Sequence, residues 1–335
     1  MKSSTQSSRL LQGAFILSAA AIISKLIGTL QKIPLQNLGG DAVFGIYNTV
    51  YPLYTLLVTI AMLGLPAAVS KFVAEATVGE QLHAARRILI RSAVITGLGG
   101  LILGGATYVG APYIASWVGN SHIISPLRFA AWGLLFAPMM SALRGYFQGL
   151  HNMMPTAISQ ITEQTVRVAV MVTLLLYLSS RHAGAEIIAA GAMFGSVGGG
   201  AAGLLVMLLF WQRHRSRVIV NKALSEGSEV IKTRQLLSYG VPVMLGALAI
   251  PLVGLVDVFT VPRLLSLGGT EGAAMVQFGI YNRGLPLVQI VTMLATSLSV
   301  VFIPALAEAN FKGDANLIEV RLRLSLRWFW LLGLA

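Results

Sequence analysis

A five-residue stretch, Phe-Gly-Ile-Tyr-Asn, occurs twice in this chain, at positions 44–48 and 278–282. Each copy follows an apolar segment that contains a proline and ends in Gly-Gly, at positions 33–40 and 261–269. Matching positions lie 229 to 234 residues apart, so one unit of more than two hundred residues has been duplicated. Such a duplication predicts a fold of two similar halves, as in several transporter folds.

Long apolar runs decide what the repeated unit folds into. Hydrophobic residues make up 56% of the 335 residues and charged residues 11%, whereas soluble domains carry about 25% charged residues. Runs of about twenty apolar residues cross a membrane as helices. We therefore predict an all-α polytopic membrane protein built from parallel repeats of six-helix lobes. Its nine helices are expected near 10–33, 45–73, 87–110, 126–149, 155–179, 186–211, 236–261 and 275–302, and from 322 onward.

The distribution of lysine and arginine predicts the orientation of these helices. Fifteen of the 24 basic residues lie in the amino-terminal tail and in the loops after helices two, four, six and eight. Basic loops face the cytoplasm, so the amino terminus is predicted to be cytoplasmic in a multi-pass plasma-membrane protein. Helices one and seven then start on the same side, which makes the two units parallel.

The repeat also predicts the division of the chain. Residues 1–212 are expected to form the first six-helix lobe, and residues 213–235 a basic cytoplasmic linker suited to anionic lipid. Residues 236–335 are expected to form the first part of a second lobe. When the repeats are aligned, the last residue falls in the third helix of that lobe, so we expect the lobe to be incomplete and the chain to be a fragment.

Composition argues against several other functions. The chain has no cysteine, and its five histidines are too far apart in sequence to form a metal-ligand motif. The net charge of +12 lies mainly in the predicted cytoplasmic loops, which favours contact with membrane lipids over nucleic acid. No catalytic motif appears. We expect a monomeric transporter, with no cofactor and no metal, whose coupling to Na⁺, H⁺ or the membrane potential is left open.

Five ionisable residues lie deep in predicted helices and are the candidate cavity residues. Each costs about 3 kcal/mol or more if it faces lipid, so each is expected to face a cavity. The candidates are Lys25 on helix one, Glu163 and Arg167 on helix five, Asp257 on helix seven and Arg283 on helix eight.

Each candidate also has a structural explanation. Glu163 and Arg167 are spaced i, i+4, so they can pair with each other and only fix helix packing. Lys25 can serve a carbonyl or a carboxylate at a helix contact. Asp257 can bind a cation or a proton, or it can neutralise an arginine such as Arg263 or Arg283.

The deep charges are cationic in sum, which favours an anionic substrate. A guanidinium presents a fork that binds phosphate oxygens bidentately, and diphosphate is the obvious headgroup. Arg283 corresponds to Thr49 in the first unit, so this duplicated position has changed to a cation in only one copy. On helix six, Gly195, Gly199 and Gly203 are spaced by four and predict a face of close helix packing.

Three segments carry a resemblance to the MurJ/SpoVB-type branch of the multidrug/oligosaccharidyl-lipid/polysaccharide (MOP) exporter superfamily. They are Ser-Lys-Leu-Ile-Gly at 24–28, Gly-Asp at 40–41 followed by Phe-Gly-Ile-Tyr at 44–47, and Tyr-Asn-Arg-Gly-Leu-Pro at 281–286. The resemblance implies two lobes that export lipid-linked precursors by alternating access. It also implies that Arg283 matches an essential cavity arginine and that Lys25 stands where many such proteins have arginine. Secondary candidates in or beside these segments are Lys32, Asp41, Asn48 and Asn282.

These observations predict a flippase for an undecaprenyl-diphosphate-linked saccharide, such as a peptidoglycan precursor. The alternative on the same fold is a cation-coupled multidrug exporter. Such an exporter would need carboxylates in its cavity, and Asp257 supports this alternative. A membrane-embedded transferase would need paired acids, and the sequence offers none.

Overall fold

A computed structural model describes residues 2–79, 82–218, 232–284 and 315–334 of the protein. Every regular element in these ranges is a helix, which confirms the predicted all-α class. The chain divides into two units, residues 1–282 and residues 283–335.

Eleven α-helices occupy the described part of the first unit. They are α1 (Lys2–Leu30), α2 (Lys32–Met62), α3 (Leu65–Val78), α4 (Leu82–Val118), α5 (Ile124–Gly133), α6 (Ala137–Gly149), α7 (Met154–Ser180), α8 (Ala185–Val218), α9 (Thr233–Ala247), α10 (Ala249–Ser266) and α11 (Glu271–Tyr281). A 3₁₀ turn, Ser121–Ile123, precedes α5. In the second unit, the described residues are the 3₁₀ turn that Asn282–Gly284 shares with the first unit and α12 (Ala315–Leu334).

Within the described ranges, five helical segments are long and apolar enough to cross a membrane, and the bent pair α9 and α10 adds a sixth. Three of the predicted helices are broken. The predicted helix 45–73 is interrupted at Leu63 and Gly64, which both have positive φ, and the predicted helix 126–149 is interrupted at 134–136. The predicted helix 236–261 is interrupted at Leu248, between α9 and α10. Residues 285–302 of the predicted helix 275–302 lie outside the described residues.

Gly40 interrupts α2 near its start. Its φ of 77° and ψ of 174° are not helical, and glycine adopts such a conformation without the steric cost of a Cβ atom. The bend separates a short first segment, which carries Lys32, from the long membrane-crossing segment that starts at Asp41.

The two copies of the repeated motif pack directly against each other, through α2 and α11. A Cβ atom at Gly45 would overlap the carbonyl oxygen of Met275, and one at Gly279 would overlap the carbonyl oxygen of Asp41. Gly45 corresponds to Gly279 in the repeat, and Asp41 corresponds to Met275, so the two contacts are related by a local two-fold axis. We call this contact the glycine seam.

Matching asparagines stabilise both sides of the glycine seam. The buried Asn48 side chain donates to the carbonyl oxygen of Phe44 at 2.8 Å, and the buried Asn282 side chain donates to that of Phe278 at 2.7 Å. Both secondary candidates therefore hydrogen-bond to the helix turn that precedes them. This arrangement shows that the duplication visible in the sequence is also a symmetry of the packing.

A polar contact joins α11 to the turn that follows α4, on the side predicted to be extracellular. The Glu271 carboxylate accepts hydrogen bonds from the Ser121 backbone N–H at 2.9 Å and from the Ser121 hydroxyl at 2.7 Å. The Asn120 side chain donates to the Glu271 carbonyl oxygen at 3.2 Å. The two hydrogen bonds from Ser121, and secondarily the nearby His122, hold the pKa of Glu271 below its ordinary value of 4.5.

This contact is expected to weaken in acid. Because the pKa of Glu271 is lowered in the folded state, its stabilisation is present above the unfolded pKa and is lost as the pH falls through the folded pKa. The melting temperature of the wild type should exceed that of Glu271→Gln at neutral pH, and the difference should shrink as the pH falls below the ordinary glutamate value of 4.5. Glu75→Gln, at an exposed carboxylate of α3, is the control. A difference that stays constant from pH 7 to pH 3 would contradict the role of the carboxylate.

Candidate functional site

Three charged side chains meet inside the first unit, between α6 and α7. Glu163 pairs with Arg167 on its own helix at 2.6 Å and with Arg144 of α6 at 2.9 Å. Their side chains are only 12–17% exposed. We call these residues the Arg–Glu–Arg cluster. Since two guanidinium groups face one carboxylate, the cluster carries one net positive charge.

The glycines of α8 position this cluster. A Cβ atom at Gly199 would lie 2.6 Å from the Glu163 carbonyl oxygen, and one at Gly195 would lie 2.7 Å from the Arg167 carbonyl oxygen. Only glycine lets α8 approach the backbone of α7 this closely. The close-packing face predicted from the spacing of Gly195, Gly199 and Gly203 is thus confirmed, and it lies directly behind the charged residues.

Hydrogen bonds orient both guanidinium groups. Arg144 donates from Nε to the Ser159 hydroxyl at 2.9 Å, and the Ser159 hydroxyl donates to the Thr156 carbonyl oxygen at 2.9 Å. Arg167 donates from Nη1 to Gln164 at 3.4 Å. The buried Nε of Arg167 has no hydrogen-bond partner among the described residues. Arg167 therefore has one buried donor that no described protein group satisfies.

Three tyrosines of α2 lie near Arg167. The rings of Tyr47 and Tyr51 stack with centroids 5.5 Å apart, and Tyr54 follows at 6.4 Å from Tyr51. The Gln31 side chain donates to the Tyr47 hydroxyl at 3.4 Å. Cationic groups flanked by hydroxyls and amides suit a polar, anionic group.

The other predicted residues lie apart from this cluster or reach it indirectly. Lys25 is exposed on α1, one turn before Gly28, which packs against the Gln164 side chain. Lys32 is buried in the first turn of α2. Asp41 follows the bend at Gly40, and its carbonyl oxygen lies in the glycine seam.

The remaining two candidates belong to later helices. Asp257 is half-buried in α10, and no hydrogen bond or ion pair joins it to Arg263 within the described ranges. Arg283 is exposed in the 3₁₀ turn Asn282–Gly284. The cavity roles of Lys25, Arg167, Arg283, Glu163 and Asp257 stay predictions.

Arg144 is the residue that sequence reasoning missed. It is one of five basic residues within predicted spans, but its partner lies on another helix, so no short spacing indicates the pair. One signal was available. Helices α6 and α7 are joined by a short turn and must be antiparallel, which brings a residue near the end of α6 close to one near the start of α7.

Comparison with solved structures shows which class this helical arrangement belongs to. The chain superposes on a structure described as an inward-facing conformation of a multidrug resistance MATE family transporter of the MOP superfamily, with a TM-score of 0.62. The match covers 96% of this chain and 71% of the other at 16% identity. The chain therefore shares the fold of this structure.

Sequence comparison shows the family to which the chain belongs. Residues 10–310 match the family described as "Polysaccharide biosynthesis protein", and the chain belongs to this family. An uncharacterized membrane protein of Bacillus subtilis (strain 168), YabM, is 33% identical over 331 residues, and the lipid II flippase MurJ of the same organism is 28% identical over 336 residues. Each match covers 96% of this chain. The chain spans 60% and 62% of the lengths of these relatives.

Proposed function

We propose that the whole protein translocates a lipid-linked saccharide with a diphosphate headgroup, such as an undecaprenyl-diphosphate-linked cell-wall or polysaccharide precursor. The observation that carries the proposal is the net positive charge of the Arg–Glu–Arg cluster, buried in the first unit of a chain from this family. The flippase name of the MurJ relative supports the same substrate class.

The proposed mechanism is alternating access in the plasma membrane, with a cytoplasmic amino terminus. The headgroup enters a cleft and binds Lys25 and Arg167, while the polyprenyl chain stays in lipid, and Arg283 is a separate candidate for contact with phosphate. Two guanidinium groups that share one carboxylate keep binding capacity for phosphate oxygens, and the Nε of Arg167 is a donor without a partner in the described part of the chain. The lobes then rock and open the cleft to the other side.

A cation-coupled multidrug exporter is the second candidate. Its supporting observations are the likeness to a MATE family structure and the half-buried Asp257 carboxylate in α10. A carboxylate deep in a span is a site for a proton or an organic cation.

A transport assay with two substrates separates these functions. Proteoliposomes of the whole protein receive either a lipid-linked diphosphate saccharide or an organic cation, under an imposed Na⁺ or H⁺ gradient. We expect movement of the lipid headgroup and none of the cation. Movement of the cation alone would overturn the flippase proposal and make Asp257 the next target.

In the same assay, Arg283→Ala is expected to abolish headgroup translocation while membrane insertion and expression stay near normal. The physical reason is the loss of a bidentate phosphate donor at a position where the other repeat has Thr49. Arg263→Ala is the matched control, because Arg263 is an exposed arginine near the end of α10. Wild-type translocation by Arg283→Ala would remove this residue from the proposed site.

A further inference from the structure

An apolar groove of about 350 Å³ runs along the outer surface of the bundle, between α4 and α5. Its lining includes Leu101, Gly104, Gly105, Ala131, Trp132 and Leu135, with Tyr108 at one end. None of these residues belongs to the Arg–Glu–Arg cluster. Leu101 and Trp132 are more than half exposed, although they lie in segments apolar enough to cross the membrane. The groove therefore opens toward lipid.

The groove has a polar end and an apolar end. Helices α4 and α5 are antiparallel neighbours, since Gly104 packs against the Ala131 carbonyl and Arg128 reaches the Tyr108 carbonyl. Tyr108 and Arg128 lie closest to the polar turn at 119–123, whereas Leu101 and Leu135 lie deeper in the span. From Tyr108 to Leu101 the groove is about 10 Å long at the helical rise per residue.

Arg128 provides a cation at the polar end of the groove. Its guanidinium lies 5.3 Å from the Tyr108 ring centroid, and its Nε donates to the Tyr108 carbonyl oxygen at 3.4 Å. Tyr108 in turn contacts Trp132 edge to face at 6.2 Å. In the described part of the chain no acidic side chain pairs with Arg128, so its terminal N–H groups are left for a ligand.

We propose that this groove binds an anionic phospholipid, with the phosphate on Arg128 and one acyl chain between α4 and α5. Tyrosine and tryptophan at this level are typical of the boundary between headgroups and hydrocarbon. A guanidinium at the end of a groove between membrane helices can bind lipid phosphate through its N–H groups. The proposal depends on the membrane location of the chain and holds whichever substrate is transported.

Bromolipid quenching of Trp132 fluorescence tests the site directly. The chain has five tryptophans, so the whole protein is prepared with Trp132 as the one tryptophan kept and the others changed to phenylalanine. It is reconstituted in mixtures of phosphatidylcholine and phosphatidylglycerol, with one of the two brominated. We expect phosphatidylglycerol to bind near Trp132 about five-fold more strongly, the factor that one basic residue contributes at an anionic membrane surface.

Two variants test the binding of the lipid headgroup and the binding of the acyl chain separately. Arg128→Gln should remove the preference, so that the two lipids bind about equally, because the cation is lost. Gly105→Leu should lower quenching by both lipids, since nothing lies within 4 Å of a Cβ at this position and the new side chain fills the groove without a clash. Circular dichroism and size-exclusion chromatography must first show that each variant is folded.

Matched controls exist for both changes. Arg181 also stacks on a tyrosine, Tyr177, at 5.6 Å, and Gly110 of α4 also has open space where a Cβ would be. Arg181→Gln and Gly110→Leu should keep both the quenching and the preference for phosphatidylglycerol. The proposal is overturned if Arg128→Gln retains the preference, if Gly105→Leu is quenched like the wild type, or if the parent shows no preference.

Discussion

Replacing Glu163 with alanine is expected to destabilise the protein by about 3–5 kcal/mol, because two buried guanidinium groups lose their shared counter-charge. Glu163 contacts Arg144 at 2.9 Å and Arg167 at 2.6 Å, and all three side chains are largely buried. Equilibrium unfolding in mixed detergent micelles measures the change in free energy. The effect should be larger than for either arginine variant, since each of those leaves a neutral pair behind.

An exposed pair of the same type is the control for this prediction. Glu319 contacts Arg323 at 2.6 Å on α12, but both side chains are more than half exposed. Exposed i, i+4 pairs contribute only about 0.3–0.5 kcal/mol. Glu319→Ala should therefore change stability little. Equal effects of the two substitutions would mean that the buried cluster is hydrated in the folded protein.

A triple apolar variant separates a structural role of the cluster from a functional one. Arg144→Met, Glu163→Leu and Arg167→Met together remove all three charges, and such replacements of buried ionic groups are often neutral or stabilising. We expect this variant to fold and to lose headgroup translocation. If it folds and still transports, the cluster only fixes the packing of α6 against α7.

The second large effect is expected in the glycine seam. Gly45→Ala and Gly279→Ala each introduce a methyl group where a carbonyl oxygen of the opposite helix already lies. Because backbone atoms cannot rotate away, α2 and α11 must separate, at a cost near or above the upper end of the 1–3 kcal/mol typical of overpacking. The two substitutions should lower the melting temperature by similar amounts, since their contacts are related by symmetry.

Gly272→Ala is the matched control for the seam. Gly272 lies on the same helix as Gly279, but nothing lies within 4 Å of a Cβ at this position. Because Gly272 lies in the first turn of α11, alanine there should be neutral or stabilise by less than the roughly 1 kcal/mol that it gives in a helix interior. A melting temperature that falls for Gly272→Ala as far as for Gly279→Ala would show that the close approach is not the cause.

Sequence predicted the parts of this structure that depend on local pattern. Apolar runs predicted where helices lie, and the four-residue spacing of glycines predicted the face of α8 that touches α7. The i, i+4 spacing of Glu163 and Arg167 predicted their ion pair, which forms. Each of these follows from the periodicity of a single helix.

Features that depend on two helices were not predicted. Arg144 joins the cluster from α6, and the helix break at Leu63 and Gly64 lies within an otherwise continuous apolar run. Packing of the two repeated motifs against each other was also missed, although their duplication was evident. Hydropathy predicts which residues are removed from water, but it does not predict which helix they pack against.

The glycine seam also indicates how the duplicated chain arose. In the seam, Gly45 meets Met275 while its counterpart Gly279 meets Asp41, which is the pattern of an isologous interface between identical subunits. A single ancestral unit with this motif could have paired with a copy of itself. Once two copies are joined in one chain, their sequences are free to differ. Position 49 is threonine while its counterpart is Arg283, a difference that no symmetric homodimer can encode.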